Sequence, residues 1–549
     1  MENRFINTCA ALAKMRQAGA RRCRYRSPMV RAVSRQRPGP GRFGRVPVRL
    51  RPPRAGASKS PMNIVNDALQ LAEPVTETAA PRPDGWQLAV EFPQTRPVPF
   101  NRALVRELNR GQPVADLRLD TATRLGLDPD QARPEEIGNR ALSLVTLDEL
   151  GCALRGVNLA ALPLHVQAGS AALPIFGLLK AWLAENGQPP TVLHGALLSD
   201  PMAEWLVRGT LPGGLSRAYD GMATLTKCAA RAGATLRTVG VQGVLWADAG
   251  GSAVHELAFG LATGADYLRA LADRRVGVDE AAQRCLFTFA LGSWCYEEIA
   301  KLHAARQLWA RLVAAQGGGA DAQKMLVHGR IAHGVWSSAD PQADLRRVAG
   351  EIFAGVAGGC ACIHAETAEQ APEDWRRRVQ ESVGACPDGE GLCSCGAEPV
   401  DGECRVAALT QQLVAQAWAL FVEVETYGGM AAAICAGFPQ AQVEKYAEER
   451  RGTGGTRRAM STPVEVASSA AFALHRAREA ATLRRSERAA SGREILERLG
   501  ENQRANARTK MAALVEAFAC GATLGEAARA LYDGGTEVPP IKPLRLGRG

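Results

Sequence analysis

Between Trp86 and Glu369 short β-type runs alternate with longer helical patterns, and this alternation constrains the fold more than any other property of the chain. Parallel strands need long crossover connections, usually helices, so the pattern predicts a parallel sheet covered by helices. The candidate strands are Gln87–Phe92, Ala115–Asp120, Ala141–Leu147, Leu162–Ala168, Thr191–Leu197, Leu236–Leu245, Cys285–Phe289, Met325–Gly329 and Cys360–His364. They read as buried apolar stretches, as expected of strands covered on both faces. The segments between them are amphipathic. Across Tyr296–Val313, for example, apolar residues recur at Ile299, Leu302, Leu308 and Leu312. Nine candidates exceed the eight strands of a (β/α)8 barrel, so one is expected to flank it. The pattern alone leaves a doubly wound sheet open, and nothing repeats at a period that would suggest a solenoid.

Beyond residue 400 the β-type runs stop. Leu409–Gly428 and Gln440–Arg451 read as helices, Gly452–Gly455 as a joint, and Val464–Leu531 as a mostly helical region. Its charged runs, Arg476-Ala477-Arg478-Glu479 and Arg484-Arg485-Ser486-Glu487, read as solvated faces rather than a binding patch.

The formal charge of +10 invites a nucleic-acid reading, so its location matters. Residues 1–61 hold 16 Lys+Arg and one acidic residue, a net of +15, which leaves −5 for residues 62–549. The folded part is therefore mildly acidic. The Arg/Pro-rich segment 1–61 is expected to be disordered, with 62–85 a linker. A nucleic-acid-binding arm, an organelle transit peptide and a start codon set too early compete for it. No aromatic residues are arranged in it for stacking on bases, and Met62 begins a plausible N-terminus, so the start-site reading is preferred. No apolar run approaches the roughly 20 residues that span a bilayer. We expect a cytoplasmic protein with neither nucleic acid nor membrane among its partners.

Fourteen cysteines are many for 549 residues. Without the apolar region of a secretory signal, disulfides are not expected. Most cysteines sit singly on apolar segments and are expected to pack as small hydrophobes. The exceptions are Cys386, Cys393, Cys395 and Cys404, in a Gly/Asp/Pro-rich stretch, with Cys360 and Cys362 nearby. Four thiolates suit zinc, but this spacing does not open with the usual two-to-four-residue gap, so reduced thiols are the default and metal the weaker candidate.

Several stretches resemble the methylmalonyl-CoA mutase family and occur in the family's order. Asp120–Asp128 is similar to its Asp-Leu-Ala-Thr-His-Arg-Gly-Tyr-Asp, and Gly195–Gly209, with Asp200, Glu204 and Arg208, is similar to a second segment. Ala249–Phe259, Glu297–Arg311, Gly428–Ile434 with Gly437-Phe438-Pro439, and Gly521–Glu526 continue the match. The resemblance covers roughly residues 86–535. It implies a TIM barrel over 86–404, a helical region over 405–535 and a ragged end over 536–549. The flavodoxin-like cobalamin domain of the family is not expected here, since its Asp-x-His-x-x-Gly motif does not occur.

The resemblance also implies where chemistry has been lost. Catalytic members carry Tyr-His-Ile-Arg-Glu-Ala-Gly after the fifth strand, where this chain reads Val244-Leu245-Trp246-Ala247-Asp248-Ala249-Gly250. The family's other active-site tyrosine corresponds to Leu127. The rearrangement proceeds through radicals and needs donors aimed at a migrating carbonyl, and Val and Leu donate nothing. His328 and His364 match family histidines of strands seven and eight. They read either as a vestigial acyl-CoA pocket or, preferably, as hydrogen-bonded rim histidines.

The resemblance therefore points to the small, non-catalytic subunit of a heterodimeric mutase, with adenosylcobalamin held by the large catalytic subunit and none bound by this chain alone. The alternatives are an active acyl-CoA mutase borrowing a separate cobalamin-binding chain, and a nucleic-acid-binding protein.

Overall fold

The computed structural model describes residues 86–331, 341–366, 375–385, 402–452, 470–486, 488–502, 505–535 and 538–546. The segment 1–61, the linker 62–85 and Cys386, Cys393 and Cys395 lie outside the described residues. Eight parallel strands form one sheet: β1 Gln87–Glu91, β2 Ala115–Leu117, β3 Leu164–Gln167, β4 His194–Ser199, β5 Thr235–Gln242, β6 Cys285–Leu291, β7 Val327–Ile331 and β8 Cys362–Glu366. Their order is β1-β8-β7-β6-β5-β4-β3-β2, with β1 returning beside β2, so the sheet curls into a nearly closed TIM barrel.

The ninth candidate, Ala141–Leu147, is not a strand. Its residues are buried, but apart from one isolated bridge, Leu119 to Leu142, it joins no ladder. A short apolar run has no period that separates a buried loop from a buried strand. This segment lies where the ring would close: Ser143 N donates to Thr95 O after β1, and Leu142 N donates to Arg118 O after β2.

Other spans shift by a few residues. Pro189 and Pro190 lack amide donors, so Pro190–Val192 forms a 3₁₀ turn and β4 begins at His194. The fifth strand ends at Gln242, and Val244–Asp248 is a short helix.

Each strand is followed by a helix that seals its outer face, such as Pro97–Asn109 after β1, Ala253–Ala272 after β5 and Cys295–Ala315 after β6. Between the last two lies a fully buried ion cluster. Lys301 Nζ donates to Glu256 Oε1 (3.0 Å) and Ala290 O (2.7 Å), and Glu298 Oε2 lies 2.6 Å from it, off the hydrogen-bonding direction. Glu256 Oε2 in turn accepts from Ala290 N, tying both helices to the end of β6.

Beyond 400 the described residues form helices as far as Tyr532, and these dock on the barrel through charged side chains. Arg476, expected on a solvated face, is buried, donates to both oxygens of Glu149 and reaches Ser143 O. Arg484 pairs with Asp128 and Asp130, while Arg478 and Arg485 are exposed. Thr523 caps Leu524–Tyr532 and donates to Asp128 Oδ2 (2.6 Å), and Gly525 N donates to Asp128 Oδ1 (3.0 Å). A Cβ at Gly525 would come within 2.5 Å of that carboxylate carbon, so glycine permits the close approach. Ile541 N and Leu544 N donate to Gly209 O and Leu206 O.

Among the cysteines, the expectation of reduced thiols fails at Cys295, which is disulfide-bonded. Cys152, Cys228, Cys285, Cys360, Cys362, Cys435 and Cys520 are free. No described helix is long and apolar enough to cross a membrane.

Candidate functional site

Polar residues on alternate positions of otherwise apolar strands meet inside the barrel. The His165 ring on β3 lies 4.9 Å from that of His328 on β7 and 5.6 Å from that of His364 on β8. Strands β3 and β7 are far apart in the sheet order, so these contacts cross the interior. His328 Nδ1 and His364 Nε2 share a hydrogen bond of 3.0 Å, and His364 Nδ1 meets Asp116 Oδ2 of β2 at 3.0 Å. The Cys362 thiol is free and buried in the same cluster.

Two residues further along the strands, on the same face, a charged layer sits at their C-terminal ends. Glu91 Oε2 accepts from Arg330 Nη2 (2.7 Å) and Arg118 Nη1 (3.2 Å), and Glu366 pairs with Arg118 and Arg140. The sequence reading named His328 and His364 but missed His165, Asp116, Glu91 and Arg330. The available signal was a polar residue flanked by apolar ones, as in Ala115-Asp116-Leu117 and Leu164-His165-Val166.

Burial decides the protonation of the trio. Burial and the neighbouring His364 push His165 down to about 3. His328 also falls well below the usual range, through burial and both other histidines. Burial alone would lower His364 too, but Cys362 and Asp116 hold it well above the range. The Asp116 carboxyl is pushed up by burial and pulled back by His364, consistent with one proton shared between them. Arg330 loses by burial but is raised by Glu91, Asp248 and Glu366.

Each buried neutral imidazole should make the fold more sensitive to acid. His165, His328 and His255, the last lowered to about 4 by burial, are neutral when folded. Their folded pKa values lie below the unfolded value near 6.5, so their contribution is present above 6.5 and lost as pH falls towards 4 and below. Asp200, raised to about 7 by burial, works the other way and adds stability over pH 7 to 4. His364 is protonated in both states below pH 6 and drops out. Asp116, Asp120, Glu425 and Glu526, whose carboxyls burial also raises, work as Asp200 does, so the net slope is the difference between the two sets. Replacing His255, lowered to about 4, with glutamine should make the thermal midpoint less sensitive to acid between pH 6.5 and 4 than in the wild type. An unchanged pH dependence in that variant would contradict a buried neutral His255.

The aliphatic positions follow strands β2 and β5. Val244 is buried in the short helix after β5, against Ala247 and Ala290, with Leu245 beside it half-buried. Leu127 follows the short helix after β2 and is also half-buried. Cys404 lies in the first turn of the helix Gly402–Thr426.

Comparison with known proteins adds the following. The family model described as methylmalonyl-CoA mutase matches residues 76–537. A methylmalonyl-CoA mutase from Rhizobium meliloti (strain 1021) is 26% identical over 79% of this chain and 64% of its own length. A methylmalonyl-CoA mutase large subunit from Porphyromonas gingivalis is 28% identical over 62% of this chain and 48% of its own. The mitochondrial methylmalonyl-CoA mutase of Homo sapiens is 26% identical over 64% and 48%. The chain thus spans about half to two thirds of the length of these relatives.

Proposed function

The chain belongs to the methylmalonyl-CoA mutase family, and on that basis we propose that it is the small, non-catalytic subunit of a cobalamin-dependent mutase. In this reading the partner is a large catalytic subunit that holds adenosylcobalamin and interconverts methylmalonyl-CoA and succinyl-CoA. This chain contributes a barrel without the tyrosine and histidine that catalytic members carry at Val244 and Leu245. The observation that carries it is the run Val244-Leu245, with Val244 packed into an apolar cluster where a catalytic barrel needs proton donors.

The fates of the other family-like residues support the same reading. Asp120 and Asp200 accept backbone amides at helix starts, Asp128 anchors the C-terminal helices, and Glu204 pairs with Arg124 at 2.7 Å. These side chains hold the fold together.

Purified alone, the chain should neither bind adenosylcobalamin tightly nor turn over methylmalonyl-CoA. Co-expressed with a large catalytic mutase subunit, it should run as a one-to-one heterodimer in size-exclusion chromatography with light scattering. The interface should bury at least the roughly 1,200–2,000 Å² of a standard specific complex. A stable monomer or homodimer that ignores that partner would sink the proposal. The polar interior around His165, His328 and His364 favours one rival, an active acyl-CoA mutase using a separate cobalamin-binding chain. Turnover on adding such a chain, with methylmalonyl-CoA or a related acyl-CoA, would favour that rival.

A further inference from the structure

We propose that the barrel interior holds a zinc-class transition metal ion, bound by His165, His328, Cys362 and His364. The proposal is independent of any catalytic role. One ligand atom from each of the four lies within 4.8 Å of the others, and all four side chains are buried. They come from β3, β7 and β8, so the donors converge from opposite sides of the barrel rather than along one element.

The donor set selects the metal. Three imidazoles and a thiolate suit zinc or cobalt and exclude the oxygen-preferring magnesium and calcium. Tetrahedral bonds of about 2.0–2.1 Å place two nitrogen ligands about 3.3 Å apart. His328 Nδ1 and His364 Nε2 stand 3.0 Å apart, so an ion replacing their shared proton needs only a few tenths of an ångström.

Two further observations point to a ligand. His165 Nδ1 is buried with no hydrogen-bond partner among the described residues, and an orphaned buried imidazole calls for an occupant. His364 turns its other nitrogen to Asp116, the carboxylate–histidine arrangement that orients metal-bound imidazoles. Four protein ligands leave no open position, so the ion would brace the barrel rather than activate water.

The test uses the full chain, expressed with added zinc and dialysed, with metal measured by elemental analysis. About one zinc per chain is expected. After replacement by cobalt, the visible spectrum should show tetrahedral d–d bands and a thiolate charge-transfer band. Cys362→Ser should lose the charge-transfer band, and His165→Ala should lose the tetrahedral intensity. Asp116→Asn should weaken binding roughly 10–100-fold while leaving the spectrum's form intact. The variant Cys393→Ser/Cys395→Ser should keep both the metal and the spectrum, which separates this site from the second cysteine cluster. Wild-type protein without a bound equivalent overturns the proposal. So does metal that survives Cys362→Ser with an unchanged cobalt spectrum, or that is lost only with Cys393 and Cys395.

Discussion

Replacing Lys301 with alanine is expected to cost the fold about 3–5 kcal/mol, enough to leave much of the protein insoluble. The ammonium lies 3.0 Å from Glu256 and 2.6 Å from Glu298, and all three side chains are essentially unexposed. Its removal takes this cation away from two carboxylates where water cannot reach them. Protonating both would relieve the charge but weaken the tie from Ala290 N to Glu256, since a neutral carboxyl is a poorer acceptor than a carboxylate. Replacing the cluster as a unit by Glu256→Gln, Glu298→Leu and Lys301→Met should recover most of the loss, because removing a buried pair together costs far less than breaking it. Thermal melts and soluble yield check both arms. A Lys301→Ala protein that melts with the wild type would show that the cluster carries no stability.

Glu91→Ala should be nearly as damaging, at about 3 kcal/mol. Glu91 sits between the guanidinium groups of Arg118 and Arg330, and without it Arg118 keeps Glu366, which Arg140 also uses, while Arg330 loses its nearest carboxylate and keeps the more distant Asp248 and Glu366. The figure lies at the low end of the range for buried pairs because these guanidinium groups keep some solvent contact. Arg118 should then become the weak point, since burial already depresses it. A second substitution, Arg330→Met, should restore part of the stability, and urea denaturation of the single and double variants reads the difference. Additive losses would mean that the two side chains do not interact.

Eight of the nine strands proposed from sequence exist within a few residues, because a parallel strand sealed on both faces must be apolar almost throughout. Ala141–Leu147 satisfied that composition without a ladder, and composition does not report pairing. The site was less legible for the complementary reason. A lone polar residue inside an apolar run, such as Asp116 or His165, looks like noise until the barrel closes and brings β2, β3, β7 and β8 to face one another. The charges of the C-terminal helices were misjudged similarly. Arg476 and Arg478 are near neighbours in sequence, yet one is buried on Glu149 and the other is in water. The structural duty of Glu256 is also hidden, since its partner Lys301 lies on a separate helix.

The incomplete ladder between β1 and β2 gives the barrel a clasp. A fully laddered ring can open only by tearing strand pairs, whereas this one can part along a line where no strand ladder need break. What fastens that line is Ser143 and its neighbours, and these are gripped from outside: Arg476 reaches Ser143 O, and Leu524 N donates to Val145 O. The C-terminal helices therefore act as the catch. Whatever loosens them, such as a partner competing for Arg476 or a cut within 453–469, should let the barrel breathe at β1 and β2 first while β4 to β7 stay paired.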